Sequence, residues 1–131
     1  MNVLYVDSSA ALKRIFLEAE TDLVGSTLRS RVNSGDLIAA STLTWVEVTR
    51  SVLRARPADA EAQVDAALSG IAELPLDETV LTRARWIGPP TLRSLDAIHL
   101  AAALVLGATE MLTFDMRLAA AARSVGVKAI P

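Results

Sequence analysis

Short apolar runs alternate along this chain with stretches of helical periodicity, and turn formers or helix caps mark most of the changes. Val3-Leu4-Tyr5-Val6 predicts a strand over residues 2–6, and similar runs predict strands over 37–40, 73–76, 110–114 and 127–130. Between them, apolar positions spaced three and four apart predict helices over 9–17, 21–32, 43–56, 58–72, 78–87, 95–106 and 116–125. The breakers fall where these elements end: Asn33-Ser34-Gly35, Pro57, Gly88-Pro89-Pro90, Gly107 and Gly126. Strands alternating with helices predict an α/β fold of three layers, with a mainly parallel sheet of about four or five strands and helices on both faces. No linker or repeat interrupts the pattern, and 131 residues suit one domain spanning 1–131.

Four acids stand at the junctions of this pattern. Asp7 closes the first apolar run, Asp115 closes Met111-Leu112-Thr113-Phe114, and Glu47 and Asp96 fall in the first turns of two predicted helices. Each has a purely structural reading. Asp7 (or Ser8) and Asp115 are placed to cap helices, Glu47 completes a capping box with Thr44, and Asp96 follows a Ser94 cap where a negative charge suits the helix dipole. Together they share one rim, because the carboxyl ends of parallel strands lie along one edge of a sheet, where ligands bind. Four carboxylates on one rim repel unless a cation lies among them. Oxygen-only donors suit Mg²⁺, with Mn²⁺ as the alternative.

Composition narrows the chemistry further. The absence of cysteine excludes disulfides, zinc–thiolate sites and cysteine nucleophiles, and one histidine, His99, excludes a histidine-rich metal site. No nucleophile-elbow motif accompanies His99, which sits among Ile98, Leu100 and Ala101 and is expected to be packed, although its place three residues after Asp96 puts both on one side of a helix. A net charge of −2 argues against nonspecific nucleic-acid binding, yet eleven of the thirteen basic residues are arginine, the better bidentate phosphate ligand. The N-terminus lacks the features of a signal peptide and no apolar stretch reaches the roughly 18 residues of a membrane span, so a cytoplasmic protein is expected. Apolar residues make up 52% of the chain and the mean hydropathy is +0.38, which predicts apolar surface left for a protein partner.

The motifs at the four acids resemble those of a known family. Val6-Asp7-Ser8-Ser9-Ala10 followed by Lys13-Arg14 is similar to the opening of a PIN domain, in particular that of the VapC toxins of bacterial toxin–antitoxin pairs. Residues 41–50, STLTWVEVTR, resemble the second motif of that family, 94–101, SLDAIHLA, the third, and 113–118, TFDMRL, the fourth; the ending GVKAIP also fits. The likeness runs over essentially the whole chain, and no acidic position departs from it.

This resemblance implies a metal-dependent endoribonuclease, with a VapB-type antitoxin as its inhibitor and RNA as its substrate. Asp7 and Asp96 would be the main metal ligands, Glu47 would bind directly or through water, and Asp115 would complete the cluster. Thr113 would hold a carboxylate or water by its hydroxyl, and Ser8 would cap its helix or bind a carboxylate or phosphate. Arg50, Arg93 and Arg117, each near a motif, are the best-placed phosphate contacts. Trp45 and Trp86 are expected in the core or at an interface. A homodimer contact and an antitoxin groove are expected on helices that carry Ile15, Phe16, Leu17, Val24, Leu28, Val52 and Leu53. Two alternatives stand beside this reading: a noncatalytic PIN-fold binding protein and a housekeeping nuclease without an antitoxin. A receiver-type signalling module fails on its residues, since Asp7 is followed by two serines.

Overall fold

Leu4, Tyr5 and Val6 expose no surface, and the strand they form, β1 (Val3–Val6), is the centre of a five-stranded sheet. The computed structural model describes residues 1–131. The other strands are β2 (Leu37–Ser41), β3 (Ala72–Leu74), β4 (Glu110–Leu112) and β5 (Lys128–Ile130). All pairings are parallel and the order is β3-β2-β1-β4-β5. The central strands are continuous apolar runs because a parallel sheet is covered on both faces.

Seven helices flank it: α1 (Ser8–Leu12), α2 (Thr21–Asn33), α3 (Thr42–Ala55), α4 (Ala60–Leu68), α5 (Glu78–Ala84), α6 (Ser94–Val105) and α7 (Met116–Ser124). Helices α1, α3 and α4 pack together, and α6 packs against α5 and α7. Alanine makes close packing possible on α6, where Ala97, Ala101, Ala102 and Ala103 are buried with Leu100. The expected elements are all present, and the α/β class with its parallel sheet is observed.

Several boundaries differ for local reasons. The first helix stops at Leu12 instead of reaching 17, because Thr21 takes over the backbone there. Its hydroxyl donates to the Lys13 carbonyl at 2.7 Å and accepts from the Glu18 N–H at 2.9 Å. Helix α4 begins after a 3-10 turn at Pro57–Asp59 and ends at Leu68, not 72, since Gly70 takes a positive φ of 77° that no helix continues through. Strand β3 ends before Pro75, which has no N–H to give a ladder. Strand β4 ends at Leu112 because the Phe114 N–H turns to the Ser9 hydroxyl at 2.9 Å.

The apolar surplus is on the surface. Val24, Leu28 and Val52 are buried, while Leu17 and Leu53 are exposed together with Leu23, Val32, Val46, Leu81, Leu95 and Met116. Trp45 packs against the core, but Trp86, expected in the core or at an interface, stands 85% exposed in the isolated chain.

Candidate active site

The sheet order reverses direction at β1. The chain runs from β1 through β2 to β3 on one side and then crosses to β4 and β5 on the other. The crevice beyond the carboxyl ends of β1 and β4 is therefore the topological switch point, the usual ligand position in an open α/β sheet. Asp7 directly follows β1, and Thr113 directly follows β4.

Asp7 does two jobs there. As N-cap of α1 its Oδ1 accepts from the Ala10 N–H at 3.0 Å, and the same oxygen accepts from the Ser9 hydroxyl at 2.7 Å. Its Oδ2 accepts from the Thr113 hydroxyl at 2.6 Å. The residue is 3% exposed, and burial pushes its carboxyl above the usual range, against the pull of those donors. Thr113 Oγ1 in turn accepts from the Asp115 N–H at 3.0 Å, so one hydroxyl links the two strand ends. Asp115 caps α7, accepting from the Arg117 and Leu118 N–H groups at 2.9 and 3.2 Å.

Glu47 sits differently from its expected place. The capping box is not formed: α3 begins at Thr42, so Glu47 lies beyond its first turn, and the Thr44 hydroxyl donates to the Val6 carbonyl at 3.4 Å. Glu47 Oε1 accepts from the Ser8 hydroxyl at 3.2 Å and lies 2.5 Å from His99 Nε2. Ser94 is likewise no cap; it is the first residue of α6, and Arg93 precedes it without a capping side chain. Asp96 does fall in the first turn of α6.

Glu47, Asp96 and Asp115 line one open cleft with Arg93 and Arg117. Asp7 lies beneath it, tied in through Thr113. Arg50 is exposed on α3 and is not part of the cleft wall. Asp96 is partly buried, and burial first, then the charge of Asp115, raises its carboxyl above the usual range; no protein hydrogen bond offsets this. No three acidic or histidine side chains already stand as a closed coordination shell. The donor set nevertheless fits a hard divalent cation: the cleft offers oxygen donors, Asp96 has a carboxylate with no protein partner, and like charges face each other.

Sequence reasoning missed Ser9, which supports Asp7 and Phe114 at once, and Tyr5, which reaches His99 from β1. The three-residue spacing of Asp96 and His99 was the available signal for the histidine.

A family model for the PIN domain matches residues 4–124. The chain belongs to the PIN-domain family, among its VapC-type members. Ribonuclease VapC47 of Mycobacterium tuberculosis is 42% identical over 127 residues, which cover 95% of this chain and 93% of that protein. Ribonuclease VapC46 of the same organism is 36% identical over 132 residues, covering 99% and 98%. Among solved structures, VapBC2 from Rickettsia felis, bound to a DNA fragment from its promoter, superposes with a TM-score of 0.75 at 12% identity, covering 98% of this chain and 97% of that one. Mycobacterium tuberculosis VapC20, described as a sarcin-ricin loop cleaving toxin, gives 0.69 at 17% identity over 90% and 94%.

Proposed function

We propose that this protein is a metal-dependent endoribonuclease and the toxin of a toxin–antitoxin pair, acting in the cytoplasm as a single PIN domain. The observation that carries this reading is the cleft at the switch point, where Glu47, Asp96 and Asp115 share a wall with Arg93 and Arg117. Relatives at 42% and 36% identity that carry the name ribonuclease VapC support it.

Asp96, Asp115, Glu47 and, from beneath, Asp7 would hold the cation, with Mg²⁺ preferred and Mn²⁺ a substitute. When bound, it supplies Lewis-acid chemistry, acidifying water and neutralising charge that builds on a phosphoryl group. Arg93 and Arg117 are positioned to take the phosphodiester oxygens by charge-assisted hydrogen bonds. Thr113 and Ser9 hold Asp7, and Ser8 holds Glu47. The one histidine is buried against Glu47, so the substrate meets carboxylates and arginines and not an imidazole.

The exposed apolar side chains support a partner. Leu81 and Trp86 line a groove that shares Ser94 with the acidic cleft, so an antitoxin seated there would also reach the cleft. We assign this groove to a VapB-type antitoxin, and the separate apolar surface that includes Leu17 and Leu53 to contact with a second copy of the chain. The test is hydrolysis of a structured RNA by the purified protein in Mg²⁺ and in EDTA, with analysis of the ends, and a repeat with the protein of the adjacent short reading frame. Expected are Mg²⁺-dependent cuts leaving 5′-phosphate and 3′-hydroxyl ends, silenced by the neighbour. Cleavage that persists in EDTA, or cyclic phosphate ends, would overturn the metal-dependent mechanism, and no cleavage in Mg²⁺ would overturn the nuclease assignment. A neighbour that neither binds nor blocks cleavage would remove the antitoxin.

A further inference from the structure

A run of buried polar groups extends behind the cleft. Ser41, the last residue of β2, donates its N–H to Tyr5 Oη at 3.3 Å, and its hydroxyl lies 3.0 Å from the same oxygen. Tyr5 Oη lies 2.7 Å from His99 Nδ1, and His99 Nε2 lies 2.5 Å from Glu47 Oε1. Tyr5, Ser41 and His99 are 0%, 0% and 3% exposed. The chain spans β2, β1, α6 and α3, and no buried side-chain nitrogen or oxygen in the protein lacks a partner. We propose that His99, backed by Tyr5, is a positioning residue that anchors one oxygen of Glu47 and presents the other to the cation. This rests on the reading of Glu47 as a cation-binding carboxylate.

The distribution of donors carries the inference. Both side-chain donors to Glu47, Ser8 and His99, meet the same oxygen, Oε1. Oε2 is left for a partner from the cleft. A carboxylate on a helix otherwise turns about its terminal bonds, and gripping one oxygen from two directions removes that freedom.

The histidine must bring a proton to Oε1, so its Nε2 carries the hydrogen. A carboxylate oxygen only accepts, so Glu47 selects Nε2–H, and the Tyr5 hydroxyl serves either state of the other nitrogen, donating to a bare Nδ1 or accepting from a protonated one. The Tyr5 and His99 rings meet edge to face at 74° with centroids 5.8 Å apart, which fixes the plane of the imidazole. Donors behind a ligating carboxylate commonly set metal affinity, and their loss costs roughly 10–100-fold.

The test measures Mn²⁺ binding to the purified protein by calorimetry, with circular dichroism to confirm folding. Tyr5→Phe keeps the ring in the core and removes only the hydroxyl. His99→Gln keeps an amide donor near the position of Nε2, whereas His99→Ala keeps none. His99→Ala is expected to weaken Mn²⁺ binding by roughly 10–100-fold. Tyr5→Phe should weaken it in the same direction by a smaller factor, and His99→Gln should recover most of the loss. The metal concentration that half-saturates cleavage should shift in parallel, with the KM for RNA unchanged. A network that only satisfies the core would alter melting temperature and leave the Mn²⁺ affinity of folded variants at the wild-type value, which overturns the proposal. Should His99→Ala not fold, the Mn²⁺ affinity of Tyr5→Phe decides the matter. Asp96→Asn separates the two layers of the argument. If it abolishes binding while Tyr5→Phe and His99→Gln bind as wild type and His99→Ala, where folded, does too, the cation site stands and the positioning role falls. If wild-type protein binds no Mn²⁺, both fall.

Discussion

Asp96→Asn should reduce RNA cleavage by more than about 100-fold, beyond what loss of a supporting group does to metal sites, while the metal-free protein gains stability at neutral pH. The two effects share one cause. Asp96 is partly buried, receives no protein hydrogen bond and faces Asp115, so its folded-state carboxyl titrates above the unfolded value. A carboxyl raised in this way contributes stability that is fully present below the unfolded pKa. That contribution is lost as pH rises through the folded pKa, and at neutral pH the ionised group opposes folding. Asparagine keeps the shape and removes the charge. Melting curves in EDTA from pH 4 to 8 should therefore separate, with the variant ahead at neutral pH and the gap closing in acid. Using the difference between the two proteins cancels the opposite contribution of Glu110, which Arg31 holds below its usual range. Wild-type cleavage by a well-folded Asp96→Asn protein would sink the site assignment. Asp7→Asn is the less clean variant, because Oδ1 and Oδ2 both accept hydrogen bonds and an amide turns one acceptor into a donor.

Mg²⁺ should raise the melting temperature by on the order of 10 °C at concentrations about 100 times its dissociation constant. A ligand that binds only the folded state adds about 2.7 kcal/mol at that excess. For a chain between the 100- and 150-residue classes, each kcal/mol moves the midpoint by roughly 3–5 °C. The gain should shrink towards pH 5, because protons held by Asp7 and Asp96 compete with the ion. Melts in EDTA and in Mg²⁺ at pH 5.5 and 8 check both the size and the pH trend. Superimposable curves at pH 8 would remove the cation from the site.

Much of this arrangement was readable in the sequence because a parallel sheet turns linear order into position. A residue that ends an apolar strand is bound to sit on the carboxyl rim, so Asp7 and Asp115 could be placed from β1 and β4 alone. Their double role was readable too, since a helix cap and a rim carboxylate occupy the same junction. What local spacing could not supply was reach across the fold. Thr44 and Glu47 have the spacing of a capping box, but α3 starts two residues earlier and turns Thr44 towards the Val6 carbonyl. Tyr5 and His99 are 94 residues apart, and nothing in either neighbourhood indicates that a hydroxyl on β1 meets an imidazole on α6. Arg50 follows a motif acid by three residues on the same helix, yet it is exposed on α3 and does not line the cleft, so motif proximity alone did not place it.

The Thr113 bridge makes the surroundings of Asp7 depend on a contact that is distant in sequence. The Oδ2 partner of Asp7 lies 106 positions later in sequence, on a strand end where the Thr113 N–H also donates to the Ile130 carbonyl. A chain halted before β4 has no Asp115 and no donor for the second Asp7 oxygen. The candidate site is therefore assembled only when β4 is paired beside β1.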